Sequence, residues 1–104
     1  MKPIFILTLC ALALSACKES CEEIAYKDVQ TAVLKRLKSP STAVFPPVSQ
    51  IAITGVTQDC QPSVDGYVDA QNGFGGVVRL DYNAKTVLMP DGPRRVFFTR
   101  FEQR

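Results

Sequence analysis

The chain reads as an α+β domain: one N-terminal helix packed on a four- to five-stranded antiparallel sheet, stapled by a disulfide. Three observations predict it. A capped amphipathic stretch opens the mature part at Ser20, and a proline-rich segment, Pro40 to Pro47, closes it. Beyond that, short runs rich in β-branched and aromatic residues alternate with explicit turn signals to the end of the chain. Helix first and strands afterwards, without further helical periodicity, is the pattern of an α+β layer pair.

The chain begins with a leader. Met1-Lys2 is a short positive start, and Ile4 to Leu14 is an apolar run of eleven residues broken only by Thr8 and Cys10. A spanning helix needs roughly 20 residues, so this is the length of a signal-peptide core. The run ends in Leu14-Ser15-Ala16-Cys17, which resembles the lipobox of bacterial lipoproteins. The resemblance implies removal of residues 1–16 and lipidation of Cys17 with acyl chains such as palmitate, giving stable membrane anchoring. Lys18 follows the cysteine, in place of the aspartate that resembles an inner-membrane retention signal, so the outer membrane is favoured, with the domain facing the periplasm. Residues 17–19 then form the lipidated cysteine and a short tether. Lys18 and Glu19 span on the order of 10 Å at most, which holds the domain against the bilayer surface.

Removing sixteen of 104 residues leaves 88, enough for a single α+β domain over 20–104. The net charge of +2 falls to +1 once Lys2 leaves with the leader, so nucleic acid is not an expected partner. Of four cysteines, Cys10 leaves and Cys17 takes lipid, so Cys21 and Cys60 remain. An exported compartment is oxidising, and a Cys21–Cys60 disulfide is the default reading. Closing a loop of about 40 residues stabilises by roughly 4 kcal/mol on the chain-entropy estimate. A metal site would need a fourth ligand and usually a histidine; the chain has none.

Ser20-Cys21-Glu22-Glu23 is a capping box, and acidic residues in the first turn suit the helix dipole. Tyr26, Val29, Val33 and Leu37 fall near one helical face, with Ala25 and Ala32 flanking it; Lys35, Arg36 and Lys38 suit the far end, and Ser39-Pro40 stops the helix. Pro40 to Pro47, with three prolines in eight residues, is irregular. A first strand follows over Ile51 to Val56, then a turn from Gln58 to Pro62 that carries Cys60. Val64 to Ala70 is a second strand, and Asn72-Gly73 signals a hairpin. Val77 to Tyr82 reads as a third strand, turned by Asn83-Ala84-Lys85 into a short fourth, Thr86 to Met89. Pro90-Asp91-Gly92-Pro93 is a turn before a fifth strand, Arg95 to Glu102.

Two stretches, Leu37-Lys38-Ser39-Pro40-Ser41-Thr42-Ala43-Val44-Phe45-Pro46 and Gly66-Tyr67-Val68-Asp69-Ala70-Gln71-Asn72-Gly73-Phe74-Gly75, resemble the paired signatures of a family of small exported domains of bacteria and their phages. The resemblance spans about Val29 to Leu80 and carries no assigned activity, so it implies no functional residues. In architecture, a small cysteine-linked lipoprotein also resembles phage-encoded superinfection-exclusion lipoproteins, which sit in the outer membrane and disable a receptor barrel.

No catalytic set is legible. Nucleophilic catalysis needs a base beside the nucleophile, and there is no histidine, while Cys21 and Cys60 are expected to be paired. Asp65, Asp69 and Asp81 lie on neighbouring strands, but a solvated face accounts for them. Gly73-Phe74-Gly75-Gly76 lacks the lysine and helix start of a phosphate cradle. The expectation is no enzyme, no cofactor, no metal and no small-molecule substrate. Binding surfaces remain. Phe74 sits among glycines at a hairpin tip, either folded back as a plug or offered to a partner. At the C-terminal end, Arg95, Phe97, Arg100 and Phe101 are partner-binding candidates. Alternation allows one face with Phe97 and Phe101, or one with Val96, Phe98 and Arg100, and an edge position would let the backbone accept an added strand. The expected partners are the membrane, through the lipid, and an outer-membrane protein. The alternative is a structural envelope lipoprotein that binds lipid or peptidoglycan.

Overall fold

The computed structural model describes residues 20–104; the leader, Cys17 and the tether lie outside the described residues. Ser20 is the N-cap of helix α1 (Cys21–Leu34), its Oγ accepting from the Glu23 amide at 3.3 Å. The helix is thus the first described element and begins where its capping residue puts it. It ends earlier than Ser39-Pro40 suggests: Lys35 is the C-cap, and Arg36 and Leu37 are held by single turns onto Val33 and Leu34. Leu37 then reaches the core from outside the helix.

A short turn of 3-10 helix follows at Pro40–Thr42 and another at Val48–Gln50. Four strands complete the domain: β1 (Ala52–Thr54), β2 (Ser63–Gln71), β3 (Val77–Val87) and β4 (Arg95–Gln103), all antiparallel in the order β1-β2-β3-β4. The α+β architecture and the staple are as expected. Cys21 and Cys60 are bonded with Cα atoms 5.6 Å apart, fixing the start of α1 to the β1–β2 loop. Cys60 takes a positive φ of 55°, unusual for a residue with a Cβ, in a turn closed by its amide donating to the Thr57 carbonyl at 3.0 Å.

Two expectations are corrected. Asn83-Ala84-Lys85 is not a turn: β3 runs unbroken through it, so the third and fourth strands of the sequence reading are one. Tyr82, Ala84 and Thr86 are all buried at period two, and pairing with both β2 and β4 outweighs the local turn preference. The Asn72-Gly73 pair does lie in a hairpin loop, the one that joins β2 to β3. The loop has five residues, Asn72 Oδ1 accepts from the amides of Phe74 and Gly76, and the positive φ falls on Gly75. Finally, Phe97 and Phe101 do not share a face. Ala84 pairs with Phe98 and Asn83 with Arg100, leaving Thr99 as a bulge residue that reverses the alternation. Val96, Phe98 and Phe101 therefore all pack on the core, and Phe97 faces away.

One face of the sheet carries the core. Tyr26, Val29 and Val33 of α1 pack on Val64, Val68, Tyr82 and Ala84, all buried. Each of the four valines contributes about 1.5–3 kcal/mol by leaving water. The proline-rich segment covers the rest of this face: Phe45 meets Tyr26 edge-on, and the Tyr26 hydroxyl donates to the Pro46 carbonyl at 2.6 Å. The stretches Leu37 to Pro46 and Gly66 to Gly75 lie side by side, because Val44 bridges Asp69 through both backbone bonds and the Gln71 amide donates to Thr42 Oγ1. Their residues therefore hold one another in place.

Candidate functional site

The hairpin between β2 and β3 presents Phe74 to solvent. Phe74 is 99% exposed, so it is not folded back as a plug. The surrounding loop is ordered from within: besides the two bonds to Asn72 Oδ1, the Asn72 and Gly75 amides donate to the Gly76 and Asn72 carbonyls. An apolar ring is thus displayed on a braced support. The tip lies at the end of the sheet opposite the staple, since β2 starts three residues after Cys60 and runs nine residues toward the loop. At about 3.3 Å per residue the separation is about 30 Å.

The outer face of the sheet is polar. Asp69 receives a two-pronged bond from Arg79 at 2.7 and 2.8 Å, and Asp81 receives one from Arg104 at 2.8 and 2.6 Å. Both carboxyls are held below the ordinary aspartate range, chiefly by these hydrogen bonds. Arg79 also lies over the Tyr67 ring, 4.1 Å from its centre. Asp65 pairs with Arg100 at 3.2 Å. The three aspartates thus sit on one solvated face, each matched to an arginine, and no two of them form the shared-proton pair that acid–base chemistry uses. Among the described residues no group of three or more metal-ligating side chains converges.

The five partner-binding candidates occupy separate places. Phe74 is at the tip. Arg100 is on the outer face, engaged with Asp65. Phe101 is drawn to the core, its ring stacked on Tyr82 and against Phe98. Arg95 and Phe97 stand together at the start of β4, where Phe97 is 50% exposed.

Around this last pair is a groove of about 560 Å³ between α1 and β4. Its helix wall carries Asp28, Thr31, Lys35 and Arg36; its strand wall carries Arg94 to Phe98. Arg36 stacks on Phe98, 4.5 Å from the ring centre, and covers Phe101 at 5.4 Å. Arg94 is fixed between the Cys60 carbonyl at 3.2 Å and Asp28 at 3.8 Å. Among the described residues Lys35 and Arg95 have no ion-pair partner. A chain of nearly balanced charge therefore gathers four cations against one carboxylate here. Sequence reasoning assigned Lys35 and Arg36 to the helix end alone. The spacing 28, 31, 32, 35 does mark one helical stripe, but which strand it faces is set by the topology.

The chain matches no protein-family model, no curated protein and no solved structure.

Proposed function

We propose that this protein is a membrane-anchored, non-enzymatic lipoprotein that binds an envelope protein. The observation that carries the reading is Phe74, wholly exposed on a braced hairpin at the end of the domain remote from the staple. Exposed aromatics of this kind act as anchors that fill a pocket on a partner. The anchor point proposed for the chain, Cys17, precedes Cys21 by only four residues. Lipid at one end and an aromatic at the other suit a protein that holds position at the membrane and reaches a neighbour with its far end. Paired aspartates, bonded cysteines and the absence of histidine fit a binding role better than a catalytic one.

The most concrete version, drawn from the architectural resemblance, is a phage or prophage superinfection-exclusion factor that blocks an outer-membrane receptor. The test is expression of the full gene, with Cys17→Ser and Phe74→Ser variants, in cells challenged by phages that use different receptors. The reading expects membrane recovery that Cys17→Ser abolishes, a co-purifying barrel protein, and protection against one receptor class that Phe74→Ser removes. Unchanged infection across the panel with normal export removes the exclusion version. Freely soluble wild-type protein removes the anchor, and with it the whole reading.

A further inference from the structure

We infer that the groove between α1 and β4 receives an extended acidic segment of the partner protein, which adds to β4 as a fifth strand. This deepens the envelope-binding reading and rests on it.

Two independent features coincide at this place. The first is the backbone. β4 closes one side of the sheet, and among the described residues no strand pairs with its far edge over nine residues. The opposite side is different: β1 is only three residues long, and the Val44 bridge occupies more of β2. An unpaired edge is a row of donors and acceptors ready for another chain. The second feature is charge. Beside the N-terminal half of that edge, among the described residues, Lys35 and Arg95 lack ion-pair partners and Arg36 meets only the faces of Phe98 and Phe101.

Strand geometry then specifies the occupant. Side chains of an added strand alternate between the two faces of the sheet. Those on the inner side enter the groove and meet Lys35 and Arg36, which carboxylates satisfy. Those on the outer side run past half-exposed Phe97 and the aliphatic stem of Arg95, which shares its face, and apolar side chains cover both. Acidic and apolar residues in alternation fit both walls at once. The Thr99 bulge breaks the regular edge, so the register that pairs cleanly is the stretch Arg95 to Phe98. Anionic lipid headgroups offer the same charge but cannot use the strand edge.

The test uses the full-length chain in neutral detergent micelles with labelled peptides of alternating glutamate and valine. Matched controls carry lysine for glutamate, or a proline in mid-peptide. Anisotropy reads affinity and hydrogen exchange reads the β4 amides. The glutamate–valine peptide is expected to bind at least about tenfold more tightly than either control and to weaken at high salt. It should slow exchange within Arg95–Phe98, and lose about tenfold in affinity in Lys35→Glu or Arg95→Glu, both exposed positions that leave the core untouched. Equal binding of the lysine peptide, binding indifferent to both charge reversals, or no binding overturns the inference. So does phosphatidylglycerol occupying the groove without protecting β4. If barrel capture in cells is lost with Phe74→Ser but kept with Lys35→Glu and Arg95→Glu, the envelope-binding reading stands and the added strand falls.

Discussion

Tyr82 lies over Gly66, its direct cross-strand partner in the β2–β3 ladder. A Cβ on residue 66 would stand 2.8 Å from the Tyr82 hydroxyl oxygen, 3.1 Å from its ring carbon and 3.2 Å from an Ile51 methyl. The glycine leaves the space that the tyrosine ring fills, an aromatic covering a bare stretch of strand. The same hydroxyl is buried and has no hydrogen-bond partner among the described residues, and burial raises its pKa. The pair therefore combines tight packing with an unsatisfied polar atom.

Gly66→Ala is expected to destabilise by about 1–3 kcal/mol through overpacking. Tyr82→Phe removes the unsatisfied oxygen and is expected to be neutral or stabilising by up to about 1 kcal/mol. In the double variant the alanine should cost less than in wild type, because the closest contact is gone. Urea unfolding of all four proteins closes the cycle. Strict additivity would mean that the hydroxyl does not set the size of residue 66.

The staple should carry a large share of the stability. Cys21 and Cys60 are 39 residues apart, and replacing both by serine is expected to cost about 2–5 kcal/mol. Reductant should bring the wild type close to the double variant and leave the variant unmoved. Coincident thermal midpoints for oxidised wild type and variant would refute this.

The Thr99 bulge decides which phenylalanines are inside. Deleting Thr99 alone removes the extra residue and leaves Phe101 opposite Tyr82, still inside, whereas deleting Thr99 and Arg100 together puts Phe101 opposite Asn83 and turns it outward, at a cost of about 1.5–3 kcal/mol from its exposure. Thr99→Ala keeps the extra residue and loses only the bond to Asn83, 2.7 Å long and exposed, so its cost should stay below about 1 kcal/mol. Similar losses in Thr99→Ala and in the two-residue deletion would show that the hydroxyl, not the register, matters.

Acid should weaken the outer face. The carboxyls of Asp69 and Asp81 are lowered in the folded chain by Arg79 and Arg104. Their contribution is therefore complete above the unfolded aspartate value of about 3.9 and is lost as pH falls through it toward the folded values. Unfolding midpoints measured downward from neutrality should be flat until about pH 5 and then fall. Asp69→Asn should start lower and fall less steeply. A variant as steep as wild type would place the acid sensitivity elsewhere.

Much of this architecture is legible from local chemistry. Ser20 and Glu23 mark the helix start, and Cys21 and Cys60 could only find each other once the leader was set aside. Alternation in β2 places Val64, Val68 and Ala70 inside without further help. Readings failed where a partner strand outvoted the local signal. Asn83-Ala84-Lys85 has turn composition, yet each residue is paired on both sides. The bulge at Thr99 has no composition of its own, since it exists only relative to Asn83 and Ala84 across the ladder. The same limit applies to the binding surfaces. Phe74 stands out because glycines surround it in sequence, whereas the groove joins Lys35 to Arg95, residues that only the fold brings together.

The unbroken course of β3 also orders how the domain loosens. It is the spine of the sheet, bonded along its length to β2 and β4, whereas β1 holds three pairs on one side only. Breathing should begin at β1 and the neighbouring proline-rich cover, while the β2–β3 ladder keeps its amides shielded until the whole domain opens. Phe74 rides on that slowest-opening ladder, so its presentation survives the early fluctuations that unseat the other edge.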